Sequence, residues 1–159
     1  MTVFSEDPVQ SNQEPSKLAS WLGYTGLIPF VAAAIGTFVF RSDIETQVFL
    51  GTTLLVYGAV LLSFLGGIRW GTALSIRNRG DQMRQLCFSV LPTLLGWICV
   101  LLPSQSIALM ILAIGFSGQL YFDLHSTAQE LLPRWFGKLR IQLTVGAVIS
   151  LIFGSMHLM

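Results

Sequence analysis

Residues 57–75 read YGAVLLSFLGGIRWGTALS, and the reading of this stretch decides the fold. It is apolar and glycine-rich except for one charge, Arg69, near its middle. A small residue recurs at every fourth position: Ala59, Ser63, Gly67, Gly71 and Ser75. Long apolar runs with small residues at that spacing are the pattern of a transmembrane helix that packs closely on a neighbour. An arginine at depth in lipid costs about 2.5–3.5 kcal/mol on insertion scales. Arg69 therefore needs either a partner or a way out to the headgroups.

The rest of the chain agrees with a membrane setting. Hydrophobic residues make up 53% and charged residues 11% of the 159, against about 25% charged in a typical soluble domain. So few charges cannot cover a water-facing surface, whereas lipid tails accept an apolar one. Apolar runs at 18–40, 46–76, 86–102, 107–122 and 141–156 give five spans. The expected fold is all-α: a polytopic helical membrane protein with a single five-helix transmembrane domain over 18–159. Pro29 and Pro92 are expected to kink the first span and interrupt the third.

Residues 1–17 are polar and broken by Pro8 and Pro15, and read as a disordered cytoplasmic tail. A secretory leader starts basic, whereas Glu6, Asp7 and Glu14 precede Lys17, so the first span is expected to stay attached. Residues 124–139 place Ala128, Leu131, Leu132, Trp135, Phe136 and Leu139 opposite Glu130, Arg134 and Lys138. That suits a short interfacial helix before the last span, with Pro133 as a break or a helix start.

Charge sets the orientation. Five spans put Lys17, Arg77, Arg79, Arg84, Arg134, Lys138 and Arg140 on one side and Arg41 on the other. The positive-inside rule then makes the amino terminus cytoplasmic and the carboxyl terminus periplasmic. No Arg-rich, acid-poor presequence is present, so a bacterial inner membrane is favoured over a mitochondrial one.

Gly146, Ser150 and Gly154 repeat the small-residue spacing in the last span. Both stripes read as packing within the chain or as a seam with a second copy or another membrane protein. Arg69 lies about 200° around the helix from Gly67, so stripe and charge serve different neighbours.

Chemistry has few candidates. Arg69 either snorkels to the headgroups or pairs with Asp123 near the end of the fourth span. Gln119 and Asp123 share a face at i, i+4, and with Arg69, Trp70 and His125 they form a candidate polar pocket. His125 alone reads as an interfacial residue. Cys87 and Cys99 would lie about 18 Å apart on one helix, too far for a disulfide. No metal-ligand spacing, phosphate loop, dinucleotide fingerprint or serine elbow occurs, so no cofactor, metal or catalytic residue is assigned. The basic residues read as orientation signals rather than a nucleic-acid surface.

Ser63 to Gly71, SFLGGIRWG, together with Leu94-Leu95-Gly96-Trp97, residues 121–123, and Trp135 through Leu139-Arg140 to Leu143-Thr144, carries a resemblance. The chain resembles the domain-of-unknown-function family 3429 (transmembrane protein 69-like) from about Trp21 onward. The resemblance implies a small polytopic protein of bacterial inner or mitochondrial membranes and brings no established activity. The leading expectation is a non-enzymatic factor that assembles or stabilises a membrane partner. The alternatives are a small-solute or proton pathway through an Arg69–Asp123 pocket, and a membrane enzyme acting on a lipid or quinone.

Overall fold

The computed structural model describes residues 17–128 and 134–158, the side chains of Ala128 and Arg134 excepted. Six helices follow in order: α1 (Lys17–Thr25), α2 (Ile28–Val39), α3 (Ile44–Ala73), α4 (Arg79–Leu101), α5 (Gln105–Ala128) and α6 (Arg134–His157). α1 and α2 together make one crossing, so five helical segments are long and apolar enough to span a bilayer. Among the described residues there is no strand.

α3 is the hub and touches α2, α4, α5 and α6. Its 30 residues measure about 45 Å, longer than a hydrocarbon core of about 30 Å, so it tilts or projects. Leu54, Leu62, Leu109, Leu112 and Leu151 are fully buried where α3, α5 and α6 meet. The Phe30 ring seals the α2 side, edge-on to Tyr57 at 5.2 Å and Phe116 at 5.8 Å between centroids. Large apolar side chains such as Val60, Phe64, Trp97, Ile114 and Ile149 face outward. Aliphatic exteriors of this kind are stable only in lipid.

The first span breaks, but not at its proline. The helix opens at Gly26–Leu27 and Pro29 sits in the first turn of α2, where its missing N–H costs nothing. The break exposes the Gly26 carbonyl, which must be satisfied inside a membrane. Tyr57 Oη donates to it at 2.8 Å. Pro92 lies within α4 without ending it.

The connection between the apolar runs 46–76 and 86–102 is shorter than those bounds suggest. Residues 79–84 already belong to α4, because Asn78 Oδ1 accepts from Gly80 N at 3.0 Å and Asp81 sits in the first, electropositive turn. At the opposite end, Asp43 caps α3 by accepting from the Thr46 hydroxyl at 2.6 Å and its amide at 3.3 Å. Those bonds, the hydroxyl's first, hold the Asp43 carboxyl below the ordinary carboxylate value.

The stretch read as a short interfacial helix divides between two spans. Residues 124–128 continue α5 and 134–139 form the first turns of α6, while 129–133 lie outside the described residues. Leu139 is buried and draws this part of the chain into the bundle. Of the tail expected over 1–17, residues 1–16 lie outside the described residues, whereas Lys17 opens α1.

Candidate functional site

Two antiparallel hairpins bring the polar residues together. In the α3–α4 hairpin, Arg69 and Gln85 stand at equal distances from the Arg77–Asn78 turn and therefore lie level. Arg69 donates from Nε and Nη2 to Gln85 Oε1 at 2.9 and 2.8 Å. Its guanidinium lies 4.2 Å from the Phe122 ring centroid and 5.8 Å from that of Phe88, within cation–π range. Arg69 is buried. It neither snorkels outward nor pairs directly with Asp123.

In the α5–α6 hairpin, Asp123 and Arg140 face each other across the connection. Arg140 Nε donates to Asp123 Oδ2 at 2.7 Å, with both side chains buried. Gln119 Nε2 donates to Asp123 Oδ1 at 3.1 Å. Arg140, which the charge count took as an orientation signal, is instead the counterion of the buried carboxylate. Arg140 Nη2 and the Thr144 hydroxyl, one turn further along α6, are buried with no hydrogen-bond partner among the described residues.

The expected pocket residues thus separate into three groups. Gln119 and Asp123 meet, Arg69 attaches to α4, and Trp70 and His125 reach the surface. Trp70 is half-exposed, and His125 is exposed two residues beyond Asp123 on α5. Gln85 and Arg140 are the partners that the sequence reading missed.

The polar network lies between two apolar clefts. A cleft of about 460 Å³ between α4 and α5 has Arg69 and Gln119 among its lining. A second, of about 370 Å³, lies between α1, α3 and α6 with Arg140 in its wall. Each cleft has one arginine as its cation.

The α3 ladder does not act as one seam. Ala59 packs against α4, where a Cβ on Gly96 would come within 2.9 Å of the Ala59 carbonyl. Ser63 Oγ and Thr93 Oγ1 share a hydrogen bond at 3.0 Å. Gly67, Gly71 and Ser75 are exposed, and a Cβ at Gly67 or Gly71 would meet nothing within 4 Å. Four residues advance a helix by about 400°, so each step of the ladder drifts some 40°. The drift carries it from the α4 contact to the outer surface. On α6, Gly146 packs on Leu27, Gly154 packs on Leu54, and Ser150 is buried and donates to Gly146 O at 2.9 Å.

Residues 15–156 match the family described as "Protein of unknown function (DUF3429)". Among curated proteins, the chain is 36% identical over 149 residues to "Transmembrane protein 69" of Xenopus tropicalis, covering 91% of this chain and 56% of that protein. It is 35% identical over 139 residues to "Transmembrane protein 69" of Mus musculus, covering 86% and 54% respectively. The chain spans about half the length of these relatives. No solved structure matches it.

Proposed function

Because the chain belongs to the DUF3429 family, a family of multi-pass membrane proteins without an assigned activity, we propose a role read from its surface. It is a non-enzymatic factor that holds or assembles a membrane partner through the outer face of α3. The observation that carries this reading is the pair Gly67 and Gly71, exposed and with open space where a Cβ would stand. Val60, Phe64 and Leu74 flank them on the same face. In lipid, small residues four apart let another helix approach closely and gain van der Waals contact.

The buried network supports a non-catalytic reading as well. Asp123 is already held by Arg140 and Gln119, so a role in proton transfer would require breaking those bonds first. With Arg140 taken up by Asp123, the remaining charges of the sequence bear on the orientation. Lys17, Arg77, Arg79, Arg84, Arg134 and Lys138 stand at one end against Arg41 at the other, which favours an amino terminus in the cytoplasm of a bacterial cell, with a periplasmic carboxyl terminus. Reporter fusions at the two ends should give opposite compartments; the same compartment for both would overturn the orientation.

Crosslinking tests the partner face. Cys87 is exposed, so the background is Cys87→Ser. Gly67→Cys in native membranes, treated with a maleimide–diazirine reagent, should give a discrete adduct with a second copy or another membrane protein. Gly67→Leu should abolish copurification of that partner while the helical content stays unchanged. A Gly67→Cys protein that yields only uncrosslinked monomer would remove the reading.

A further inference from the structure

We propose that the α4–α5 cleft is a binding site for one acyl chain of an anionic phospholipid, with Arg69 receiving the head-group phosphate. This site is separate from the outer face of α3 and does not depend on it.

Cleft length comes first. Its α4 wall runs from Phe88 through Leu91 and Leu95 to Ile98. Ten residues of helix rise about 15 Å, half of a hydrocarbon core of about 30 Å and so the depth of one leaflet. On the α5 side the lining includes Gly115 and Gly118. A Cβ at Gly118 would meet nothing within 4 Å, so the missing side chain leaves room along the groove.

Charge then selects the occupant. Arg69 lines the cleft about one turn, or 6 Å, before the end of α3 at Ala73. Its Nε and Nη2 are taken by Gln85, and Nη1 makes no hydrogen bond among the described residues. Arg69 is the one cation in the lining of this cleft and no carboxylate lines it, and an unbalanced charge in a low-dielectric site is expensive. A phosphodiester on Arg69 balances it through a charge-assisted hydrogen bond. Arg77, Arg79 and Arg84 lie at the same end of the bundle and draw anionic lipid toward that leaflet. A zwitterionic lipid fills the groove equally well but brings no net charge.

Native mass spectrometry of the full chain tests the site, with dioleoyl phosphatidylglycerol, dioleoyl phosphatidylcholine and oleate as probes. Phosphatidylglycerol should bind about five- to tenfold more tightly than phosphatidylcholine, and Arg69→Gln should bring that ratio near one. Gly118→Phe, which fills the groove and leaves Arg69 in place, should weaken both phospholipids severalfold. Equal binding of the two phospholipids by the natural chain, or an undiminished preference in Arg69→Gln, overturns the proposal. Oleate displacing phosphatidylglycerol also overturns it, since the occupant is then a free fatty acid. Should Arg69→Gln fail to fold, Gly118→Phe decides alone, and unchanged phosphatidylglycerol binding there sinks the site.

Discussion

Arg140→Leu is expected to destabilise the folded bundle by about 3–5 kcal/mol, the cost of stranding a buried charge whose counterion has been removed. The change leaves the Asp123 carboxylate inside the bundle with Gln119 as its remaining hydrogen-bond donor. The double change Arg140→Leu with Asp123→Leu should recover most of the lost stability. Well-packed apolar pairs often replace buried ion pairs at no net cost, and Arg140 Nη2 already has no hydrogen-bond partner among the described residues. Unfolding in mixed detergent and SDS measures both variants. A single variant within about 1 kcal/mol of the natural chain, an ordinary value for a surface pair, would show that the pair is not buried as described.

The second large effect separates two neighbouring glycines. A Cβ on Gly66 would stand 2.5 Å from the Ser89 carbonyl oxygen, a backbone atom of α4 that cannot swing aside. Gly66→Val must therefore push α3 and α4 apart, at about 1–3 kcal/mol or more. At Gly67 the same substitution meets nothing within 4 Å and should change stability by no more than about 0.5 kcal/mol. The same unfolding assay compares them. Equal losses at the two positions would mean that the rotation of α3 is wrong.

Much of the bundle could be read from hydropathy alone, because each apolar run is long enough for only one assignment. The five spans and the all-helical class follow from that. The partners of the polar residues were harder to find, although a signal existed. In an antiparallel hairpin, residues equidistant from the turn lie level. Arg69 and Gln85 are 16 residues apart around the Arg77–Asn78 turn, and Asp123 and Arg140 are 17 apart around their own connection. Ser63 with Thr93 and Gly66 with Ser89 share the first centre. Arg69 and Asp123 belong to different hairpins with no shared centre, and each bonds within its own hairpin instead.

The small-residue ladder divides between two surfaces for a different reason. Four-residue spacing looks like a straight stripe but winds around the helix, so only Ala59 and Ser63 reach α4. The straight contact line runs through Leu62, Gly66, Arg69 and Ala73, which are buried. No periodicity marked the break at Gly26–Leu27. It depends on a hydroxyl supplied from α3, a tertiary contact that local sequence does not display.

The Asp123–Arg140 pair also bears on how the chain enters its membrane. The ribosome makes the acid first, and its arginine emerges 17 residues later. An aspartate offered alone to the insertion machinery raises the cost of entry, by about 2.5–3.5 kcal/mol at a helix centre and by less near the end of the span where Asp123 lies. Delivered as a loop, the two segments cross already neutralised. The last two crossings are therefore expected to leave the translocon together, and a nascent chain halted before Arg140 should leave its penultimate segment poorly inserted.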